Sequence, residues 1–259
     1  MDNAAKRTLT QIGSASCAEA ERQTRIELAA LYRVLDLYGM SDLANQEVGA
    51  RVAGEPDHYL VHRYGFFYDE ITASSLVKID AQGKPTDPNA PWLNDGGQNL
   101  AKWIFGARSD ANFFVHGHCE DVMAIGSIET KLLPLSQPAV YLSHMLTYLE
   151  YEFDEDDSFG GRFQNALGQH NIMISHNHGY YCLGRTAAEA FFRAYYLRQA
   201  CSVQLKVMAS GDKPHLIDPQ RVARYQDQMY ASDLYNYDGK TEWAGLLRRL
   251  DKLQPGYKD

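Results

Sequence analysis

Residues 186–214 hold the pattern that most restricts the fold of this chain. Thr186, Ala187, Ala188 and Glu189 match a capping box, with Thr186 as the helix cap and Glu189 reaching back to it. Ala190, Ala194, Leu197, Cys201, Leu205 and Met208 then form one apolar stripe, and Gly211 and Pro214 close the run. A helix with one apolar stripe has to bury it against a second layer. The preceding sequence supplies short β-like runs for that layer. HYLVHRYGFF (58–67), SLVKID (75–80), NFFVHGH (112–118) and NIMISHNHG (171–179) are separated by turn-rich stretches, and YYCLG follows the last of them. A further helix is expected from about Ala18 to Tyr38, where Ile26, Ala30, Val34 and Tyr38 recur and Gly39 stops it. LAKWIFGA reads as a short helix, and residues 81–97 as the least structured stretch of the middle. Strands in the middle with helices at both ends predict a layered α/β or α+β fold. Residues 1–20 are expected to be a loose segment and 21–259 a single domain, long enough to bury a substantial core.

The histidine pattern points to chemistry. Residues i and i+2 of a strand face the same way, so His116 and His118 in FFVHGH can present both imidazoles to one side. In ISHNHG, His176 and His178 repeat the spacing at the end of another β-like run. Of nine histidines, four fall in these two units, which argues against chance placement at strand ends. Three neutral imidazoles from two strand ends would hold Zn2+, Mn2+ or Fe2+ with a position open for substrate. Spacing alone does not choose between His176 and His178. Cys119 would point to the opposite face from His118 and reads as packing.

Charge and cysteine usage exclude some partners. The formal net charge is −8, which argues against general nucleic-acid or anionic-membrane binding but not against a small anionic substrate in a local pocket. Cys17, Cys119, Cys182 and Cys201 form no CxxC pair, and MDNAAKRTLTQ has no apolar signal core. No run approaches the ~20 apolar residues of a membrane span. Reduced thiols and a cytoplasmic location are therefore expected.

Several segments carry a resemblance in order. They are YLVHRYGFFYDEITASSLVKIDAQGK (59–84), DANFFVHGH (110–118), LLPLSQPAV (132–140), YEF (151–153), SHNHGYYCLGRTAAEAFFRAYYLRQACSVQL (175–205) and WAGLLRRLDKL (243–253). Together they resemble the class II aldolase and adducin-head superfamily, the last segment its adducin-like branch. The resemblance implies a three-layer α/β/α sandwich around a mostly antiparallel sheet. It implies a homotetramer with each active site near a subunit interface, and one divalent metal per chain. It also implies the ligand set His116, His118 and His178, since His178 holds the place of the family's NHG histidine. His176 then becomes a neighbouring polar residue.

The substrate end departs from the family pattern. Family aldolases acting on sugar phosphates place a Glu nineteen residues before the first HxH histidine; here that position is Gly97, and Asp95 is the nearest carboxylate in sequence. The family's phosphate-binding turn reads Asn45-Gln46-Glu47-Val48-Gly49, and the acidic Glu47 argues against a phosphate. The resemblance then implies a divalent-metal-dependent carbon–carbon lyase, of aldolase or decarboxylase type, acting on a small 2-oxo or 2-hydroxy acid rather than a sugar phosphate. Arg63 is the candidate carboxylate clamp, Glu120 a candidate acid or base, and Gln137 a candidate pocket residue beside Tyr64, Tyr68 and Tyr181. Two alternatives stand beside this reading. One is a non-haem Fe2+ oxygenase that oxidatively decarboxylates an aromatic 2-oxo acid. The other is a non-catalytic adducin-like assembly module. The acidic run at 152–157 reads as a solvated loop.

Overall fold

The β-like runs fold into one sheet, and the computed structural model describes residues 3–152, 157–231 and 238–259. Its strands are β1 (Glu47–Arg51), β2 (His58–Val61), β3 (Val77–Asp80), β4 (Phe113–Gly117), β5 (Leu146–Leu149), β6 (Ile172–Ser175) and β7 (Gly179–Gly184). They lie in the order β3-β2-β1-β4-β7-β6-β5. Every pair is antiparallel except β5 with β6. All five residues of the central β4 are buried, which is why it is almost wholly apolar up to its histidine.

Alternation along β4 divides the core in two. Phe113 and Val115 point to a layer built by α1 (Asn3–Leu37), α3 (Glu120–Gly126), α4 (Gln137–Leu142), α6 (Ala187–Ala209) and α8 (Lys240–Leu253). Phe114 points the other way, to α2 (Asp95–Ala107) and α5 (Asp157–Leu167), where Trp103, Ile104, Phe159 and Phe163 meet Tyr181 and Leu183. This is the three-layer α/β/α sandwich that the resemblance implied. A further helix, α7 (Pro219–Ala231), packs on α4.

The helix signals hold with local differences. In α6, Ala190, Ala194, Leu197 and Cys201 are fully buried, whereas Met208 is 43% exposed because the helix outruns the layer beneath it. The Thr186 hydroxyl accepts from the Glu189 N–H at 3.2 Å, but the Glu189 carboxylate accepts from Arg185 N–H at 2.9 Å rather than from Thr186. The Arg185 guanidinium, 2.7 Å from the same carboxylate, draws it one residue outward. Helix α1 ends at Leu37, with Gly39 at φ +60° as its stop. At the other end the backbone is helical from Asn3, so residues 3–20 continue α1 instead of forming a loose segment. The stretch contains no proline and five alanines, the residue that most favours helix. Strands β1 and β5 were not expected. EVGAR carries two charges and a glycine, and LTYL is a half-exposed edge, so neither shows a clear period. Of the acidic run, residues 153–156 lie outside the described residues. No described helix is long and apolar enough to cross a membrane.

Candidate metal centre

The centre is assembled where β4 and β7 end side by side. In their register His116 lies opposite Tyr181, and the two rings stack at 4.4 Å and 11°. His118 stands just beyond the end of β4. His178 belongs to the tight turn between β6 and β7, where Ser175 pairs with Gly179. That turn needs a left-handed residue, and Asn177 supplies it at φ +58°. Glycines make the close approach possible. A Cβ on Gly179 would lie 2.5 Å from the Gly117 carbonyl oxygen and 2.8 Å from His118 Cδ2.

Three imidazole nitrogens converge there. His118 Nε2 is 3.2 Å from His116 Nε2 and 3.1 Å from His178 Nε2. The outer nitrogens fix two of the tautomers. His116 Nδ1 donates to the Tyr180 carbonyl at 3.0 Å, and His118 Nδ1 donates to the Asp42 carboxylate at 3.1 Å. Their Nε2 lone pairs therefore face inward, as metal-binding histidines require. His178 Nδ1 is buried without a hydrogen-bond partner, and its ring is held by packing on Tyr151 at 4.3 Å. Tetrahedral ligands about 2.0–2.1 Å from a zinc ion stand roughly 3.3 Å apart, close to the separations found here. The donor set thus fits a divalent ion. Burial, then the neighbouring His118 and His178 rings, hold the His116 pKa well below its ordinary value. Burial, then His118, lowers that of His178 to about 4. Both imidazoles are neutral at pH 7, which is the form that donates to a metal.

That depression fixes a pH dependence. Unfolded imidazoles titrate near about 6.5, so below that pH the unfolded chain binds more protons than the folded one. Stability of the metal-free protein should therefore fall as pH drops through 6.5 towards 4. A urea midpoint series will show this, and the His178→Gln variant should flatten the fall. An equal slope in both proteins would contradict it. A second expectation concerns Asp42, which orients His118. Asp42→Ala should weaken zinc binding about 10–100-fold in chelator competition, since partners of a ligand histidine typically contribute that much.

The other candidates divide. Glu120 opens α3 as an exposed residue and shares a cleft of about 310 Å3 with His118, Asp42, Gln46, Asp121 and Arg198. Arg63 is exposed, lies over the Phe66 ring at 4.9 Å, and lines a separate cleft of about 870 Å3 with Arg25 and Lys78. Gln137 opens α4, also exposed. The structure does not bring Arg63 or Gln137 to the imidazoles of their own chain. Tyr64 packs edge-on to Trp92 and Tyr68 edge-on to Tyr32, so of the three tyrosines only Tyr181 touches the cluster. His176 turns away, with Nδ1 on the Gly126 carbonyl at 2.7 Å and its ring stacked on Tyr148. Among the described residues, the group able to hold a metal is His116, His118 and His178.

Two participants gave no sequence signal. Asp42 lies 76 residues before His118, with no motif to join them. Nor is Asp95 the carboxylate that meets Gly97. A Cβ on Gly97 would lie 2.6 Å from Cδ of Glu47, whose carboxylate fills the space above the bare Cα.

Comparison with known proteins gives a consistent picture. A family model described as the Class II Aldolase and Adducin N-terminal domain matches residues 26–205. A Caulobacter vibrioides protein provisionally named an aldolase class 2 protein is 34% identical over 247 residues, 93% of this chain and 94% of that one. Alpha-adducin of Rattus norvegicus is 36% identical over 267 residues, 95% of this chain but 35% of the longer adducin. A crystal structure of an aldolase II superfamily protein from Pseudomonas syringae superposes with a TM-score of 0.85 at 30% identity, covering 93% of this chain and 96% of that one.

Proposed function

The chain belongs to the class II aldolase and adducin family, and from that premise we propose that it is a divalent-metal-dependent carbon–carbon lyase acting on a small 2-oxo or 2-hydroxy acid. The observation that carries this reading is the convergence of three Nε2 atoms, two of them aimed inward by hydrogen bonds on their far sides. His116, His118 and His178 would hold one ion per chain, and zinc suits three neutral imidazoles best. Bound there, the ion supplies a Lewis acid for a substrate carbonyl and its neighbouring oxygen. The protein's own part is to hold the rings. Tyr180 and Asp42 fix tautomer and orientation, Tyr181 supports His116 from below, and burial keeps His116 and His178 unprotonated.

The substrate class follows from the other side of the site. Residues 47–51 are a strand and not a phosphate-binding turn, and Gln46 and Glu47 are buried. A buried carboxylate there disfavours a phosphate. A homotetramer is part of the proposal. Arg63 and Gln137, exposed and apart from the imidazoles of their own chain, would meet substrate only across a subunit boundary.

The test is a product assay on zinc-loaded protein against a panel of 2-oxo and 2-hydroxy acids, reading CO2 and aldehyde release. Release that is lost on chelation and restored by zinc is expected. A loaded protein that releases neither would overturn the reading. That outcome would leave the second one, an assembly module, which the identity to alpha-adducin favours. The dioxygen-using alternative has no observation in its favour.

A further inference from the structure

Glu47 is a buried carboxylate that holding a metal does not use. It is 4% exposed and lies directly opposite His116 in the β1–β4 register. Residues paired in this way share a face, with Cβ atoms about 4.5–5.5 Å apart. Three groups seat its carboxylate. Oε1 accepts from Asn94 Nδ2 at 2.9 Å, and Asn94 is the N-cap of α2. Oε2 faces His62 Nδ1 at 3.4 Å. The third side is the bare Cα of Gly97, in the first turn of α2.

Behind Glu47 the polar chain continues. Tyr32 Oη lies 3.1 Å from His62 Nδ1 and donates its one hydrogen to the Val48 carbonyl. Burial, then the charge of Glu47, raises the Tyr32 pKa well above its ordinary value, so that hydrogen stays in place. His62 Nδ1 must then be the donor, to the Tyr32 oxygen at 3.1 Å, with the Glu47 carboxylate beside it at 3.4 Å. Seating a carboxylate in this interior is costly unless it is bonded. Here the Asn94 donor, the neighbouring His62 ring and the positive end of the thirteen-residue α2 offset that cost. Glu47 is not in the group able to hold the metal, so it stands beside the imidazoles and not among them.

We propose that Glu47, oriented by His62 and Asn94 and seated over Gly97, is the carboxylate that moves the substrate proton in this site. The proposal rests on the lyase reading and adds its proton carrier. In the cleavage, the substrate hydroxyl proton passes to Glu47. The hydroxyl oxygen becomes the carbonyl oxygen of the departing aldehyde, and the electron pair of the broken C–C bond moves onto the retained 2-oxo fragment as its enolate. The proton then passes from Glu47 to the enolate carbon, and the carboxylate is restored. Nothing is oxidised or reduced. Glu47 is thus a catalytic residue, and His62 a positioning residue that acts through it.

The test uses pyruvate as a minimal 2-oxo acid and follows exchange of its methyl hydrogens in D2O by NMR, alongside zinc affinity by chelator competition. Wild-type protein, Glu47→Gln and Glu47→Ala with Gly97→Glu are compared, each zinc-loaded. Glu47→Gln should lose exchange by about 10²–10⁴-fold, the usual worth of a positioned acid–base group. Its zinc affinity should stay within about tenfold, the lower edge of what losing a ligand's partner costs. The double variant, which returns a carboxylate from α2 into the same space, should recover exchange to well above the single variant. A purely structural role would show no such rescue. Exchange in Glu47→Gln equal to wild type would overturn the proposal and leave the lyase reading standing, as would loss of zinc by that variant. Absence of exchange in the zinc-loaded wild type would overturn this role, while the lyase reading stands or falls on the product panel.

Discussion

His116→Ala should lower zinc affinity by more than about a hundredfold, beyond what losing a ligand's hydrogen-bond partner costs. His116 is the most deeply buried of the three imidazoles, with its Nδ1 on the Tyr180 carbonyl and its ring on Tyr181. His176 is held by the Gly126 carbonyl and is not free to take its place. A thermal readout separates this loss from unfolding. At a zinc concentration of 100 times Kd the wild type should gain about 2.7 kcal/mol over its metal-free form. The variant should gain no more than about 0.4 kcal/mol at that concentration and still unfold cooperatively. A variant that keeps the full zinc-dependent gain would show that the ion binds elsewhere.

Gly179→Ala should damage fold and centre together. Its Cβ would stand 2.5 Å from the Gly117 carbonyl and 2.8 Å from His118 Cδ2, between two strands that cannot part without breaking their ladder. Overpacking of this kind typically costs about 1–3 kcal/mol. Because one obstructed atom belongs to a candidate ligand, zinc affinity should fall as well. Gly161→Ala is the matched control. It is exposed in α5 with nothing within 4 Å of its Cβ, and alanine there should be neutral or stabilising by up to about 1 kcal/mol. Equal stability and equal zinc affinity in the two variants would contradict the account.

The reach of the sequence follows from how each feature is encoded. His116 and His118 were legible because a strand's period of two is written locally, and α6 because its cap, stripe and stop lie within one run. The choice of His178 over His176 needed the resemblance, since two histidines flanking one Asn in a tight turn have no period to separate them. Asp42 and Glu47 were not legible as participants. Each meets its partner only after the sheet is formed, His118 lying 76 residues on and Asn94 47 residues on. Glu47 illustrates the gap well. Read along the chain it is an acidic residue in a lapsed phosphate turn, and Gly97 is a lost carboxylate. The packing of α2 on β1 places one in the space of the other. Arg63, chosen as a carboxylate clamp, and Gln137, chosen as a pocket residue, are exposed, and Arg63 lines a cleft of its own. The first turns of α1 were missed because a polar, small-residue stretch shows no stripe, yet nothing in it interrupts a helix.

The most direct measurement is X-ray absorption at the metal edge of protein purified without a metal-binding tag and reconstituted with zinc. The account predicts about one ion per chain, with a shell of three imidazole nitrogens about 2.0–2.1 Å away and an oxygen completing it. A sulfur in that shell, a fourth imidazole, or no retained ion after reconstitution would contradict it.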